Sequence, residues 1–297
     1  MNEARAGEDL QIADHMKKPT IVDRQADHRF REMARAFGYD PTGIWIDGYV
    51  DYEWKRSRYF IQSYVQDLGK THVLEFGCNV GGTAIVFAHL GAAVTAVDVD
   101  PRTTALAQAN ALRYGVNDIA FAVLPGGSTP LPFDDATFDI VSCNSVLEYV
   151  DPPLLEGIAQ ELGRVLKEGG TIFIMGTSSR LAPREVHSCR WLINYLPLFI
   201  DRLVGHRVSL QRGVWPWRIR GYFPGFRDLT LEDRGDAYIS ARRATGLATA
   251  KVRTLRTLIP IVGQVGWSIG MITPSLFLAL RKPPSNAGLL YRNRNFP

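Results

Sequence analysis

The sequence predicts an α/β fold built on a mostly parallel, doubly wound seven-stranded sheet, and three observations lead there. Short apolar runs alternate with helical stretches from residue 71 onward, which is how βα units read in a sequence. A glycine turn follows the first such run at Gly77 and opens a helix, and an acidic residue, Asp98, ends the second run. The chain of 297 residues is 46% hydrophobic, enough for one large core with a decorated end.

Taken in order, residues 1–25 mix charges and read as a mobile lead-in, with no apolar stretch of the kind a secretory signal needs. Residues 26–69 read as an N-terminal helical cap, helical over 26–68 and rich in aromatics from Trp45 to Phe60. Strands are expected at residues 72–76, 93–98, 120–124, 138–143 and 171–176, with a sixth at 226–231 and a seventh at 275–280. Helices are expected at 83–90, 101–114 and 153–166, the last stopped by Lys167-Glu168-Gly169-Gly170. A further helix is expected over 186–204. The main domain then covers 70–283, with a helical cap insertion at about 202–274, and residues 284–297 form a tail.

Three cysteines without a CxxC or Cys/His cluster suggest neither a disulfide framework nor a zinc site, and a reducing, cytoplasmic setting follows. The net charge of +4 conceals an asymmetry. Residues 180–256 hold 15 Lys/Arg against 6 Asp/Glu. Such a region suits solvated arginines, an anionic acceptor or an anionic membrane surface, and nucleic acid is not the expected partner. Leu258 to Leu280 contains no charged residue and is long enough to span a bilayer, but Pro260, Pro274 and three glycines oppose a span. Ordinary burial in the fold, or an interfacial or cap helix with peripheral contact at the inner membrane surface, are the readings that remain.

The densest chemistry lies in Val73-Leu74-Glu75-Phe76-Gly77-Cys78-Asn79-Val80-Gly81-Gly82-Thr83. Gly77 and Gly81 let a ligand approach the backbone, Asn79 tolerates positive φ, and helix N-terminal amides face the ligand's polar end. A dinucleotide site fits poorly, because Asn79 takes the middle position of GxGxxG, where backbone must approach a pyrophosphate. Glu75 would repel a pyrophosphate but attract an ammonium group. Asp98 stands where an acceptor can bind both hydroxyls of a ribose.

Together these residues resemble the class I, Rossmann-like S-adenosylmethionine-dependent methyltransferases, particularly the quinone-biosynthesis and small-molecule group. The resemblance covers about residues 70–180. Glu75 to Gly81 is similar to the family's first motif, Val97-Asp98-Val99-Asp100 to its ribose-binding strand end, Leu131 to Val141 to the entry into the fourth strand, and Arg164 to Gly170 to the turn before the fifth.

The resemblance implies that Glu75, Gly77 and Gly81 surround the methionine portion of S-adenosyl-L-methionine, with Cys78, Asn79 and Val99 also in the cofactor site and Asp98 at the ribose. Gly127 and Ser128 fall near the adenine, where relatives often place an acid that this chain lacks. Asn144 falls opposite the methyl donor. Relatives often have histidine at the position of Tyr149.

A hydroxyl acceptor benefits from a base, and His187, with Glu185 to orient it or act beside it, follows the fifth strand where open α/β sheets place ligands. The expected function is methyl transfer, most simply to oxygen, onto a small or lipid-linked acceptor. A non-catalytic cofactor-binding or membrane-associated module and an aminopropyl transferase are the alternatives.

Overall fold

The computed structural model describes residues 17–126, 129–197, 200–203 and 212–284. Seven strands follow the order β3-β2-β1-β4-β5-β7-β6, the Rossmann-like doubly wound arrangement that the sequence predicts. They are β1 (His72–Phe76), β2 (Ala93–Asp98), β3 (Ala120–Val123), β4 (Phe138–Asn144), β5 (Leu166–Ser178), β6 (Arg227–Asp228) and β7 (Ser275–Arg281). β1, β2 and β3 pair in parallel, as do β4 and β5, while β7 runs antiparallel to β5 and β6. The chain divides into two compact units, Met1–Ser128 with Asp236–Thr257, and Thr129–Gly235 with Leu258–Pro297.

In the first unit, α1 (Arg24–Ala36) begins at Asp23, whose carboxylate accepts the N–H of Gln25 and Ala26. It packs on α4 (Pro101–Arg113), which starts with Asp100 as cap and Pro101 in its first turn. α2 (Tyr49–Gln62) packs on α3 (Gly82–His89), an apolar helix buried from Gly82 to Phe87. α9 (Asp236–Ala244), far along the chain, packs on α2. The helicity expected over 26–68 about a turn at Pro41 to Gly43 is interrupted there, and more widely: Gly38, with φ of 82°, and turns over residues 37–48 separate α1 from α2. Arg113 ties these turns down. Its buried guanidinium donates to Asp27 (2.8 Å), Asp47 (2.7 Å) and the Asn110 Oδ1 (2.7 Å) and lies 4.0 Å over Phe30.

In the second unit, α5 (Leu155–Val165) packs on β5, and α8 (Leu229–Glu232), capped by Asp228, packs on β7. Two shorter helices are α6 (Ile200–Leu203) and α7 (Pro216–Gly221). β5 starts five residues earlier than expected. The Gly169-Gly170 turn is gathered into the ladder, because the Gly169 N–H donates to the Lys282 carbonyl and the Lys282 N–H to that of Gly170. β6 is shorter than expected, since the Asp228 carboxylate caps the Leu231 N–H and diverts the chain into a helical turn.

The uncharged stretch from Leu258 resolves into the end of α10 (Thr249–Gln264), a 3₁₀ turn at Ile269–Met271 and β7. Among the described residues no helix is long and apolar enough to cross a membrane.

Candidate functional site

β1 delivers its chain end into a loop whose backbone is almost fully committed. The N–H groups of Gly77 and Cys78 both donate to the Val97 carbonyl at 2.9 Å, and that of Gly81 to the Cys78 carbonyl at 2.8 Å. Gly77, Asn79 and Gly81 adopt φ of 77°, 48° and 78°, left-handed values that glycine reaches freely and asparagine at modest cost. A Cβ on Gly81 would meet the Ala107 Cβ at 3.1 Å, and one on Gly82 would meet the Tyr49 ring at 2.5 Å. The loop is therefore clamped between α4 and an aromatic ring of α2.

Asp98 closes the loop from the other side. Its Oδ2 accepts the Asn79 N–H at 2.7 Å and its Oδ1 the Asp100 N–H at 3.1 Å. A carboxylate has about four acceptor positions, so these bonds leave capacity for the two hydroxyls of a ribose. Val99 beside it is 60% exposed, an apolar side chain open for packing. Glu75 is buried at the end of β1. Burial, and then the charges of Asp98 and Glu75, push the Cys78 thiol well up, so that Cys78 is a neutral packing group at this site. The residues present fit S-adenosylmethionine: a left-handed loop for close approach, an acid at each strand end, and an apolar side chain next to the second acid. Gly127 and Ser128, expected near the adenine, lie outside the described residues.

In the second unit, Asn144 is buried at the end of β4, and Leu147–Tyr149 forms a 3₁₀ turn. Of the helix expected over 186–204, only the short turn at Ile200–Leu203 is formed among the described residues. Residues 184–195 make a tight hairpin and a 3₁₀ turn instead. Local bonds outcompete the helix: the Glu185 carboxylate accepts the N–H of His187 at 2.9 Å and that of Ser188, and Asn194 Nδ2 donates to the Ala182 carbonyl at 2.8 Å. Cys189 and Leu192 take left-handed φ of 56° and 61°.

This hairpin carries the His187 ring to the 3₁₀ turn. Nδ1 lies 3.4 Å from the Tyr149 hydroxyl, and Nε2 lies 3.9 Å from Oε1 of Glu148, which is buried and accepts the Ser178 N–H at 3.2 Å. Burial, then Glu148 and Glu185, push the Tyr149 hydroxyl up to about 12, so it stays protonated. Burial alone would raise the Glu185 carboxyl, but the N–H groups of His187 and Ser188 outweigh it and hold the group below its ordinary value. The structure thus joins His187 and Glu185 to Glu148 and Tyr149, which sequence reasoning did not select. The available signal was Tyr149 itself, standing where relatives often carry histidine: here a histidine arrives beside that position from the loop after β5.

The remaining two motifs hold each other. Arg164 donates to the carbonyls of Phe133 (2.9 Å) and Leu131 (3.0 Å) and to Asp135 (2.7 Å), while Glu161 accepts the Leu131 N–H (2.7 Å).

Fold and loop geometry define a class, and the similarity to known proteins agrees with it. Residues 74–174 match the family model described as a methyltransferase domain. Over these residues the chain is similar to methyltransferase domains. The chain is 30% identical over 103 residues to the sterol 4-C-methyltransferase strm-1 of Caenorhabditis elegans, covering 35% of this chain and 30% of that one. It is also 30% identical to the ubiquinone biosynthesis O-methyltransferase of Paracidovorax citrulli, over 43% of this chain and 46% of the relative. The demethylmenaquinone methyltransferase of Tropheryma whipplei matches at 30% over 49% and 56% respectively. The chain thus spans between about a third and just over half of the length of these curated relatives.

Proposed function

We propose that the chain transfers a methyl group from S-adenosylmethionine to a small or lipid-linked acceptor, at oxygen. The observation that supports it best is the clamped β1 loop, with Glu75 at one strand end and Asp98 at the next. When bound, the cofactor supplies an activated methyl group on a sulfonium. The Glu75 carboxylate attracts the ammonium of the methionine portion, Asp98 accepts from the ribose hydroxyls, and Gly77 and Gly81 allow close approach.

His187 is proposed as the base that takes the acceptor's proton, with Glu148 stabilising the imidazolium and Glu185 holding the backbone of the hairpin. Tyr149, protonated and 3.4 Å from Nδ1, orients the ring. Relatives named for oxygen and for carbon methylation both occur. Oxygen is favoured here because a hydroxyl must lose a proton to become a good nucleophile, and an imidazole does this near neutrality. An acceptor with an anionic or lipid part suits the basic later third of the chain, and peripheral membrane contact belongs to the same reading.

Calorimetry with S-adenosylmethionine and its demethylated product, followed by assay against catechol, quinol and sterol acceptors with mass-spectrometric location of the new methyl, tests this. Binding and a methyl ether product are expected. Binding without transfer to any acceptor would favour a non-catalytic module, transfer from decarboxylated cofactor an aminopropyl transferase, and absence of cofactor binding would overturn the reading.

A further inference from the structure

α10 is a 16-residue helix in which Val252 is the buried residue. An exposed helix of this length does not repay its ordering by burial within the chain, so what it presents matters. Its first half presents Lys251, Arg253 and Arg256, all exposed. Its second half and the residue after it present Leu258, Ile261 and Val265, 36%, 61% and 67% exposed and spaced i, i+3, i+7 along one stripe.

The helix ends in a left-handed turn at Gly266, φ 73°, and the Trp267 N–H returns to the Val262 carbonyl at 3.1 Å. This sets Trp267 against Trp217, with ring centroids 5.9 Å apart, and Trp217 in turn stacks on Trp215 at 4.7 Å. Trp217 is itself exposed. The sequence around these residues is of one sign: the 61 residues after Asp236 contain nine Lys/Arg and no Asp or Glu.

We propose that α10, with the Trp217–Trp267 stack, docks the protein on an anionic lipid bilayer, lying in the interface without crossing it. Exposed aliphatic side chains along one stripe insert below the headgroups, tryptophan suits the boundary of water and hydrocarbon, and the basic half sits over lipid phosphates. Charge complementarity selects this occupant: a stretch with no acid is repelled by a second copy of itself and attracted by a phosphate surface. The Gly266 cap fixes the direction in which the tryptophan stack leaves the helix. The inference sharpens the membrane reading above to one helix, and it does not depend on methyl transfer.

Full-length protein is co-sedimented with phosphatidylcholine vesicles, alone or mixed with phosphatidylglycerol as the anionic probe lipid. Binding to the anionic vesicles, weakened at least about 10-fold by high salt, is expected. Arg253→Glu with Arg256→Glu, and separately Ile261→Asp with Val265→Asp, should each weaken binding about 10-fold or more. Because all four residues are exposed, thermal unfolding and cofactor calorimetry should stay unchanged. Brominated lipid should quench tryptophan emission in the bound state and fail to do so in Trp217→Phe/Trp267→Phe. Absence of binding at low salt, binding untouched by either double variant, or a dimer in light scattering that the same variants dissociate would overturn the proposal. A protein that binds vesicles but not S-adenosylmethionine would keep this inference and remove the methyl-transfer reading, and the reverse result would do the opposite.

Discussion

The loop after β1 and the loop after β5 differ in how far side chains hold them. The first is tied backbone to backbone, through Gly77, Cys78 and Gly81, and clamped by Ala107 and the Tyr49 ring, so its shape exists before any ligand arrives. The second has backbone pairs too, such as the Glu185 N–H to the Arg190 carbonyl, but adds side-chain ties through Glu185, Asn194 and Arg180, and leaves Trp191 at 69% exposure beside Leu192 and Tyr195. Side-chain ties can be rebuilt by substitution without altering the sheet, whereas the first loop changes only if the sheet end changes. A cofactor common to many enzymes suits the first construction, and an acceptor peculiar to one enzyme suits the second.

The comparison predicts that the two loops fail in different measurements. The largest effect is expected at His187→Ala, which should lower kcat with a hydroxyl acceptor about 100-fold while leaving the Kd of S-adenosylmethionine nearly unchanged. Stopped-flow turnover beside calorimetry checks this, and equal losses in both would show that the hairpin also shapes cofactor binding.

Asp98→Ala should do the reverse, weakening cofactor binding by about 2 kcal/mol, roughly 30-fold, through lost charge-assisted hydrogen bonds. Because Asp98 also holds the Asn79 N–H, part of this loss is loop disorder. Asp98→Asn, which keeps an acceptor, should recover some of it, and a variant binding as tightly as the parent would remove Asp98 from the site.

Next in size is Gly82→Ala. The new methyl meets the Tyr49 ring at 2.5 Å, and such overpacking costs about 1–3 kcal/mol. Denaturant unfolding should show it, and Tyr49→Ala in the same chain should relieve the clash. A double variant no better than the sum of the singles would mean that the clamp is not where the strain lies.

The smallest effect concerns acid. The Glu185 carboxyl lies below its ordinary value in the folded chain. Its contribution is therefore complete above the unfolded carboxylate range and is lost as pH falls through the folded value. Glu185→Gln should flatten the acid limb of thermal stability between about pH 5 and 3, and an unaltered limb would show that the hairpin does not depend on that charge.

Much of the first loop was legible in advance, because it is local. Gly77, Asn79 and Gly81 are residue types chosen by backbone conformation, and a strand, a turn and a helix start within eleven residues leave few alternatives. The second loop was misread as a helix because residues 186–204 have helical composition. What decides against a helix there is a set of short-range bonds: the Glu185 carboxylate accepts the N–H groups two and three residues on, and the Asn194 amide reaches back to the Ala182 carbonyl. The stretch at Leu131 is legible as the entry into the fourth strand, and Arg164 and Glu161 show what pins that entry onto α5.

By itself the sequence determined the sheet, the glycine loop after β1 and the acid at the end of β2, since each is set by periodicity or by φ within a short span. Tertiary structure alone decided that Arg113 gathers Asp27 and Asp47, 86 and 66 residues away, and that His187 meets Glu148 and Tyr149. Those partners are close because the folded backbone brings them together, and no local spacing records a distance that exists only after packing.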